Sequence, residues 1–287
     1  MAKFIFSGFA DEISESFDEQ LSALKKLNIN MIELRGVDGK SFVSLSDEEL
    51  SVVKLKLADA NIKISALGSP IGKFTLGGNF EEHLILFERV MDIGDFLGCK
   101  VIRMFSFYPR EGSSYSEFEN EVFEKIEVLL HRAEKRGFTL CHENEKDIYG
   151  DSQENVLKLL KRFNGRLKAV LDCGNFVFSG FSAENAFTNL APYIKYMHIK
   201  DCDESGTIVP VLQGNAFIDK ALIDANNFID DDFIITLEPH LMMFTGLSNL
   251  SKLDDIKHKY VFKDSIEPFE LTYNTVKNII DNLWKNF

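Results

Sequence analysis

Leu140-Cys-His-Glu-Asn144, Val170-Leu-Asp-Cys-Gly174, Tyr196-Met-His-Ile-Lys200 and Ile235-Thr-Leu-Glu-Pro239 share one plan. Each is an apolar, strand-like run that ends on a hard ligand: Glu143, Asp172, His198 and Glu238. Successive ligands are spaced by roughly one strand-plus-helix unit. Ligands at the ends of four successive strands fit the mouth of a parallel barrel. Oxygen donors with one imidazole suit a single divalent ion such as Mn, Mg, Co or Zn.

The same alternation extends to both ends of the chain. Strands are expected at Phe4–Phe6, Met31–Arg35, Ile62–Leu67 and Val101–Phe105, then at Phe138–Glu143, Leu167–Asp172, Ile194–Lys200 and Phe233–Glu238. Phe17, Leu21, Leu24 and Leu27 recur at helical spacing. Ser46 and Glu49 form a capping box for a helix that runs to about Ala60. Further helices are expected over Phe80–Leu97 with Gly98 as its stop, Ser116–Arg136, Gln153–Phe163, Ala183–Leu190 and Phe217–Asn226. Two segments follow strand eight: Leu247 to about Tyr260, and a closing helix from Pro268 to Trp284. Strict alternation implies a parallel sheet, and eight units in 287 residues match an α/β fold of the (β/α)₈ TIM-barrel type. An open doubly wound sheet is the alternative; it would bind its ligand where the strand order reverses. No Pro/Gly/Ser-rich linker or charge run interrupts the pattern, so the expectation is a single TIM-barrel domain over residues 1–287.

A hydrophobic fraction of 45% supports a sizeable core, and a net charge of −13 disfavours a nucleic-acid partner. No apolar run is long enough to span a membrane, and the N-terminus enters a strand without a signal-cleavage pattern. The expectation is therefore a cytoplasmic protein with no membrane partner. Cys99, Cys141, Cys173 and Cys202 include no Cys-x-x-Cys pair and read as small buried hydrophobes.

Several residues could hold a substrate at the strand ends. Arg35, Lys73 and Arg103 lie at or after strands two, three and four, where each contacts a phosphate or carboxylate, or else forms an internal ion pair with Glu12 or Glu33. Glu12, after strand one, could orient a hydroxyl. Lys200 flanks a ligand, and His240 lies within reach of the mouth. His142 alternates with Glu143, so both cannot face the barrel interior. His83, His131 and His258 fall on helical segments and are expected at the surface. Gly68-Ser-Pro-Ile-Gly-Lys-Phe74 has the look of a phosphate loop. It is one residue short, however, and has Phe where Ser or Thr would hold Mg, so it reads as a rigid turn aiming Lys73 at substrate. Each ligand candidate has a plainer role available: Glu143 could pair with Lys146, Asp172 could cap the following turn, His198 could be a satisfied core histidine and Glu238 an ordinary strand-end carboxylate before Pro239.

Glu143-Asn144, Asp172-Cys-Gly-Asn175, His198-Ile-Lys-Asp201 and Glu238-Pro239, in this order, resemble the sugar phosphate isomerase/epimerase superfamily. These are the xylose-isomerase-like TIM barrels, with ketose 3-epimerases as the useful comparison. The resemblance implies one divalent cation on Glu143, Asp172, His198 and Glu238, with Glu143 and Glu238 also moving a proton beside a sugar carbonyl. The activity it implies is a metal-dependent isomerase or epimerase acting on a sugar or sugar phosphate through an enediolate. Dehydration of an inosose-type polyol on the same site, or a non-catalytic sugar-binding barrel, are the alternatives. A relative acting on abasic DNA needs a three-metal cluster with more histidines than are present here. Leu212-Gln213-Gly214-Asn215 stands where many relatives have Gly-Glu-Gly, which leaves the sugar open. Asn175 stands where some have His, and could bond a substrate hydroxyl. Relatives often pair, and the segments after strand eight could serve a homodimer.

Overall fold

The computed structural model describes residues 1–242 and 260–285. Each predicted apolar run becomes a strand of one parallel sheet. The strands are β1 (Lys3–Gly8), β2 (Met31–Leu34), β3 (Lys63–Gly68), β4 (Val101–Met104), β5 (Thr139–Glu143), β6 (Lys168–Asp172), β7 (Ile194–Ile199) and β8 (Asp232–Leu237). The ladders run from β2 to β8 in chain order and then to β1, which lies beside β2 at the seam. The strand order never reverses, so the sheet is a nearly closed TIM barrel and not a doubly wound one. Arg35, Phe105, Lys200 and Glu238, expected as terminal strand residues, lie just past the paired region.

Helices alternate with these strands: α1 (Phe17–Lys26), α2 (Asp47–Ala60), α3 (Phe80–Leu97), α4 (Tyr115–Lys135), α5 (Gln153–Arg162), α6 (Cys173–Phe178), α7 (Ala186–Leu190), α8 (Ile218–Phe228) and α9 (Ile266–Lys285). The expected apolar stripe of α1 is buried at Phe17, Leu21 and Leu24. The Ser46–Glu49 capping box is present in both directions. The short helix α6 was not expected. It follows directly from Asp172, whose Oδ1 accepts from the Asn175 N–H at 2.8 Å. Among the described residues no helix is long and apolar enough to cross a membrane. His258 and most of the segment expected from Leu247 to Tyr260 lie outside the described residues.

The main core lies between strands and helices, where each fully buried Leu, Ile, Val or Phe contributes about 1.5–3 kcal/mol. A second, smaller cluster of Ala66, Cys141, Val170 and Tyr196 fills the barrel's interior. Cys141 thus serves as packing, and all four cysteines are buried and free.

The turn after β3 is pinned from several sides. The Phe105 N–H donates to the Ile71 carbonyl at 2.8 Å, and the Phe107 N–H to the Gly72 carbonyl at 3.0 Å. The Gly72 N–H donates to His83 Nε2 at 2.9 Å. His83 is accordingly buried against Phe74, Phe80 and Phe107, and is not the surface residue expected. Burial holds its pKa down at about 4, so the ring stays neutral and accepts. Gly72 has φ +88°, and a Cβ there would lie 2.0 Å from the Phe105 carbonyl oxygen. Gly72→Ala is expected to lower the unfolding free energy by about 2–4 kcal/mol, measured by urea denaturation.

Candidate metal centre and barrel mouth

Inward-facing residues alternate along each strand, so the last inward position of every strand looks into the mouth. Asp172 on β6 lies opposite His198 on β7, and Thr236 on β8 lies opposite His198 from the other side. Ligand atoms of Glu143, Asp172, His198 and Glu238 come within 4.8 Å of one another, and all four side chains are buried. His198 Nδ1 is central: it lies 3.1 Å from Glu143 Oε1, 3.3 Å from Glu238 Oε2 and 3.9 Å from Asp172 Oδ2.

The other ring nitrogen, Nε2, lies 3.0 Å from Glu33 Oε2. Glu33 is fully enclosed and accepts from the Tyr196 hydroxyl at 2.8 Å and the Thr236 hydroxyl at 2.9 Å. Sequence reasoning offered Glu33 only as a partner for an arginine. Its actual partner is the imidazole, 165 residues away in the chain. The signal was an acid inside an otherwise apolar strand, Met31-Ile-Glu-Leu34. A carboxylate on Nε2 holds the proton there and presents Nδ1 to the cluster.

Three fixed cations thread between the acids. Arg103 Nη1 lies 3.1 Å from Glu143 Oε2. Arg35 reaches Glu238 at 2.8 Å and holds Asp11 through two nitrogens at 2.9 and 3.0 Å. It also meets Glu12 at 3.4 Å. Lys200 Nζ lies 2.9 Å from Asp172 Oδ2 and 3.3 Å from Glu238 Oε2. Lys73 pairs with Glu145 at 3.3 Å, at the rim. Glu143 therefore pairs with Arg103 and His198, not with Lys146. Asn175 donates to Glu143 Oε1 at 3.3 Å and to the Asn144 carbonyl at 2.9 Å. His240 Nε2 lies 3.3 Å from both Glu12 Oε1 and Glu238 Oε1. His142 faces away from the interior and packs against Gly150.

Burial alone would raise every one of these carboxyls. Against it, His198 and Arg103 hold Glu143 down at about 2, and Lys200, His240 and His198 hold Glu238 well below the ordinary range. Asp172, buried and beside two other acids, is pushed up to about 6 despite Lys200. Burial pushes Glu12 up to about 8, only partly offset by Arg35. Burial would lower His198, but Glu33, Glu143 and Glu238 raise it well above its usual value.

A divalent ion fits this donor set. With Glu12 pushed up to about 8 and His198 holding its proton, Asp11, Glu33, Glu143, Asp172 and Glu238 face Arg35, Arg103, Lys200 and His198, which leaves one carboxylate in excess for a cation to balance. Glu143 Oε2 and Asp172 Oδ2 are buried and meet the cations Arg103 and Lys200 without an aligned hydrogen bond among the described residues, so each keeps lone pairs for an ion. Glu12, Glu238 and His240 form a second group of ligand type. The Arg35 guanidinium sits against both of its carboxylates and competes with a cation there.

An eight-stranded parallel barrel with hard ligands at its mouth defines the class of protein. The xylose isomerase-like TIM barrel family model matches residues 21–243, and the chain belongs to that family. No curated protein matches. Among solved structures, the D-allulose 3-epimerase of Methylomonas sp. in complex with D-allulose has 14% identity and a TM-score of 0.74, covering 97% of this chain and 98% of that one. The IOLI protein with a bound zinc atom has 17% identity and a TM-score of 0.74, covering 98% of each chain. A probable 3-DHS dehydratase, AsbF of Bacillus anthracis, has 15% identity and a TM-score of 0.72, covering 96% of this chain and 99% of that one. At these identities the likeness is one of fold.

Two predictions follow from the imidazole. Its raised pKa contributes stability that is present below the ordinary histidine value and is lost as pH rises through the folded value. An ion on Nδ1 must displace that proton. Manganese titrated calorimetrically at pH 7 in buffers of different ionisation enthalpy should release about one proton per ion, with affinity rising with pH. Glu33→Gln removes the charge behind Nε2 and should weaken manganese binding about tenfold, with the fold checked by its melting curve.

Proposed function

We propose that the chain is a divalent-metal-dependent isomerase or epimerase of a sugar or sugar phosphate. The observation that carries this reading is the placement of Glu143 and Glu238. They stand at the ends of β5 and β8, which lie on either side of β7 in the barrel, and both reach His198 Nδ1 within one buried four-ligand group. Glu143, Asp172, His198 and Glu238 would hold the ion, with Mn, Mg, Co and Zn all compatible with the donors. Once bound, the ion supplies Lewis-acid polarisation of the substrate's oxygens.

The chain's own residues supply the rest. A carboxylate must be ionised to take a proton, and Arg103 beside Glu143 and Arg35 beside Glu238 favour that state. Glu143 would remove the proton from the carbon next to the carbonyl and later release it to solvent, while Glu238, having taken a proton from solvent, would deliver that proton to the opposite face. Asp172 and His198 position the centre, with Asp172 also fixed by capping α6. Asn175, Lys200, His240, Arg103 and Lys73 line the mouth and meet the substrate's oxygens. Arg35 acts on the adjoining side, and Glu12 acts through Arg35 and His240.

A second reading, dehydration of a cyclic polyol ketone, begins with the same proton removal. Lys200 favours it, because a buried ammonium facing the mouth can hydrogen-bond a departing hydroxyl and stabilise the charge that develops on it. Incubation in D₂O with manganese and a panel of ketoses, ketose phosphates and inososes separates the readings. Deuterium at the carbon beside the carbonyl with no loss of water supports the isomerase or epimerase, and loss of water supports the dehydratase. No exchange with any compound points to a sugar-binding barrel. Glu143→Gln and Glu238→Gln should each lower exchange by about 10²–10⁴-fold, measured by mass spectrometry.

A further inference from the structure

The space over the ligand-bearing side chains is small, and a larger one adjoins it. The mouth above Glu143, Glu238 and Lys200 has a volume of about 30 Å³, room for about two ordered waters. Beside it, at the ends of β2 and β3 and the loop after β1, lies a cleft of about 460 Å³. That is within the range of pockets for small organic ligands, roughly 300–1,000 Å³. Lys73 and Arg103 line both spaces and join them. Atoms of a substrate that do not fit at the mouth can extend past these two side chains.

The cleft's walls restrict what lies there. Val43 and Pro70 are apolar and Gly36, Gly39 and Gly68 carry no side chain, while Asp11, Glu15 and Gln20 bring acceptors. Gln20 is fully buried. Its Nε2 donates to the carbonyl oxygens of Ser14 at 2.9 Å, Glu15 at 3.4 Å and Gly36 at 3.2 Å, which fixes the amide's orientation. The Gln20 Oε1 atom is then left buried with no donor. Buried acceptors are normally satisfied, so a donor from a bound molecule is the expected complement. Of the four cations on the cleft's walls, Arg35 pairs with Asp11, Lys40 with Glu49, Lys73 with Glu145 and Arg103 with Glu143, so a phosphate would compete with a carboxylate for each. A purely apolar group would leave Gln20 Oε1 unmet. A sugar ring has an apolar C–H face and a rim of hydroxyl donors, and suits both.

We propose that the cleft takes the rest of the keto unit together with a second sugar ring, so that the substrate is a glycosylated sugar with only its reacting carbonyl and adjoining hydroxyl at the mouth. The proposal rests on the sugar-converting reading above and names the substrate class of that site. Fructose and isomaltulose, which is a glucosylated fructose, are the probes. Calorimetric titration of the full chain in buffer containing manganese should give isomaltulose an affinity at least about tenfold higher than that of fructose. Val43→Trp and, independently, Ser41→Trp place an indole in the cleft and should reduce that preference to less than about threefold. Melting curves establish that the variants fold. Equal affinities in the wild type, no binding of either sugar, or a preference that survives both substitutions would overturn the proposal. The two readings fail differently: isomaltulose that binds tightly but exchanges no proton in D₂O leaves the cleft standing and removes the isomerase. Fructose that exchanges while isomaltulose binds no tighter does the reverse.

Discussion

One imidazole, with no exposed surface, touches carboxylates through both of its nitrogens. Much of the barrel's polar interior depends on that arrangement. A buried histidine between acids would ordinarily be neutral, because desolvation disfavours the charge. Here Glu33 holds one side and Glu143 and Glu238 the other, so the proton stays until something of higher charge takes its place. Tyr196 and Thr236 hold Glu33 in turn, and both stand on the strands that carry His198 and Glu238. The ligands are thus positioned by barrel strands and by hydrogen bonds between strands, and not by the loops above them. The inner packing of Ala66, Cys141 and Val170 supports the same layer from below. Sites built on strands hold their geometry more closely than sites built on loops.

The two faces of the barrel differ in how they take a left-handed backbone. At the helix-to-strand turns the residues with positive φ include Asn28, Asn61 and Asn164, with Gly98, Gly137 and Gly165. These types accept that conformation at little cost. At the strand-to-helix turns glycines take it too, at Gly39, Gly72, Gly77, Gly112 and Gly206, but positive φ also falls on Asp38, Phe107, Asp147, Leu212, Phe217 and His240. Phe, Leu and His have a Cβ that disfavours it, so the surrounding contacts must impose it. The loop after β7 shows how. The Asp201 carboxylate accepts from the backbone N–H groups of Cys202, Leu212, Gly214 and Ala216, at 2.9, 2.9, 3.1 and 3.1 Å. One buried acid therefore shapes the turn in which Leu212 is strained. Such strain is concentrated on the face that carries the ligand group.

What could be read from the sequence follows the range of each interaction. The eight strands and most helices were legible because their signals are local: apolar runs, capping residues, and glycines after helices. The four residues of the acid and imidazole group were legible because each ends an apolar run. Glu33 was not, since its partners Tyr196, His198 and Thr236 come from distant strands and only the closed barrel brings them together. Asp11 was missed for a similar reason: it is the main partner of Arg35, whereas Glu12 was the acid expected. Helix α6 is too short to show a period, and its cap is the residue read as a ligand. His83 stood on a helix like a surface residue, but the turn after β3 needed an acceptor that only the fold could reveal.

The two glutamates proposed to move the proton are not equivalent. Glu143 is met by Arg103, His198 and Asn175, while Glu238 is met by Arg35, Lys200, His240 and His198. Two fixed cations, Arg35 and Lys200, meet Glu238, and one, Arg103, meets Glu143. A carboxylate stabilised more strongly is a weaker base and its conjugate acid a stronger acid. On the proposed reaction this favours Glu143 as the group that takes the proton and Glu238 as the group that gives one back. Arg35 and Arg103 then have two uses. Each sets the charge state of one glutamate, and each also lines the neighbouring cleft. A molecule bound in that cleft would lie against both guanidinium groups, so that what fills it can alter the difference between the two carboxylates. Substrate choice and proton direction are thereby tied to the same pair of arginines.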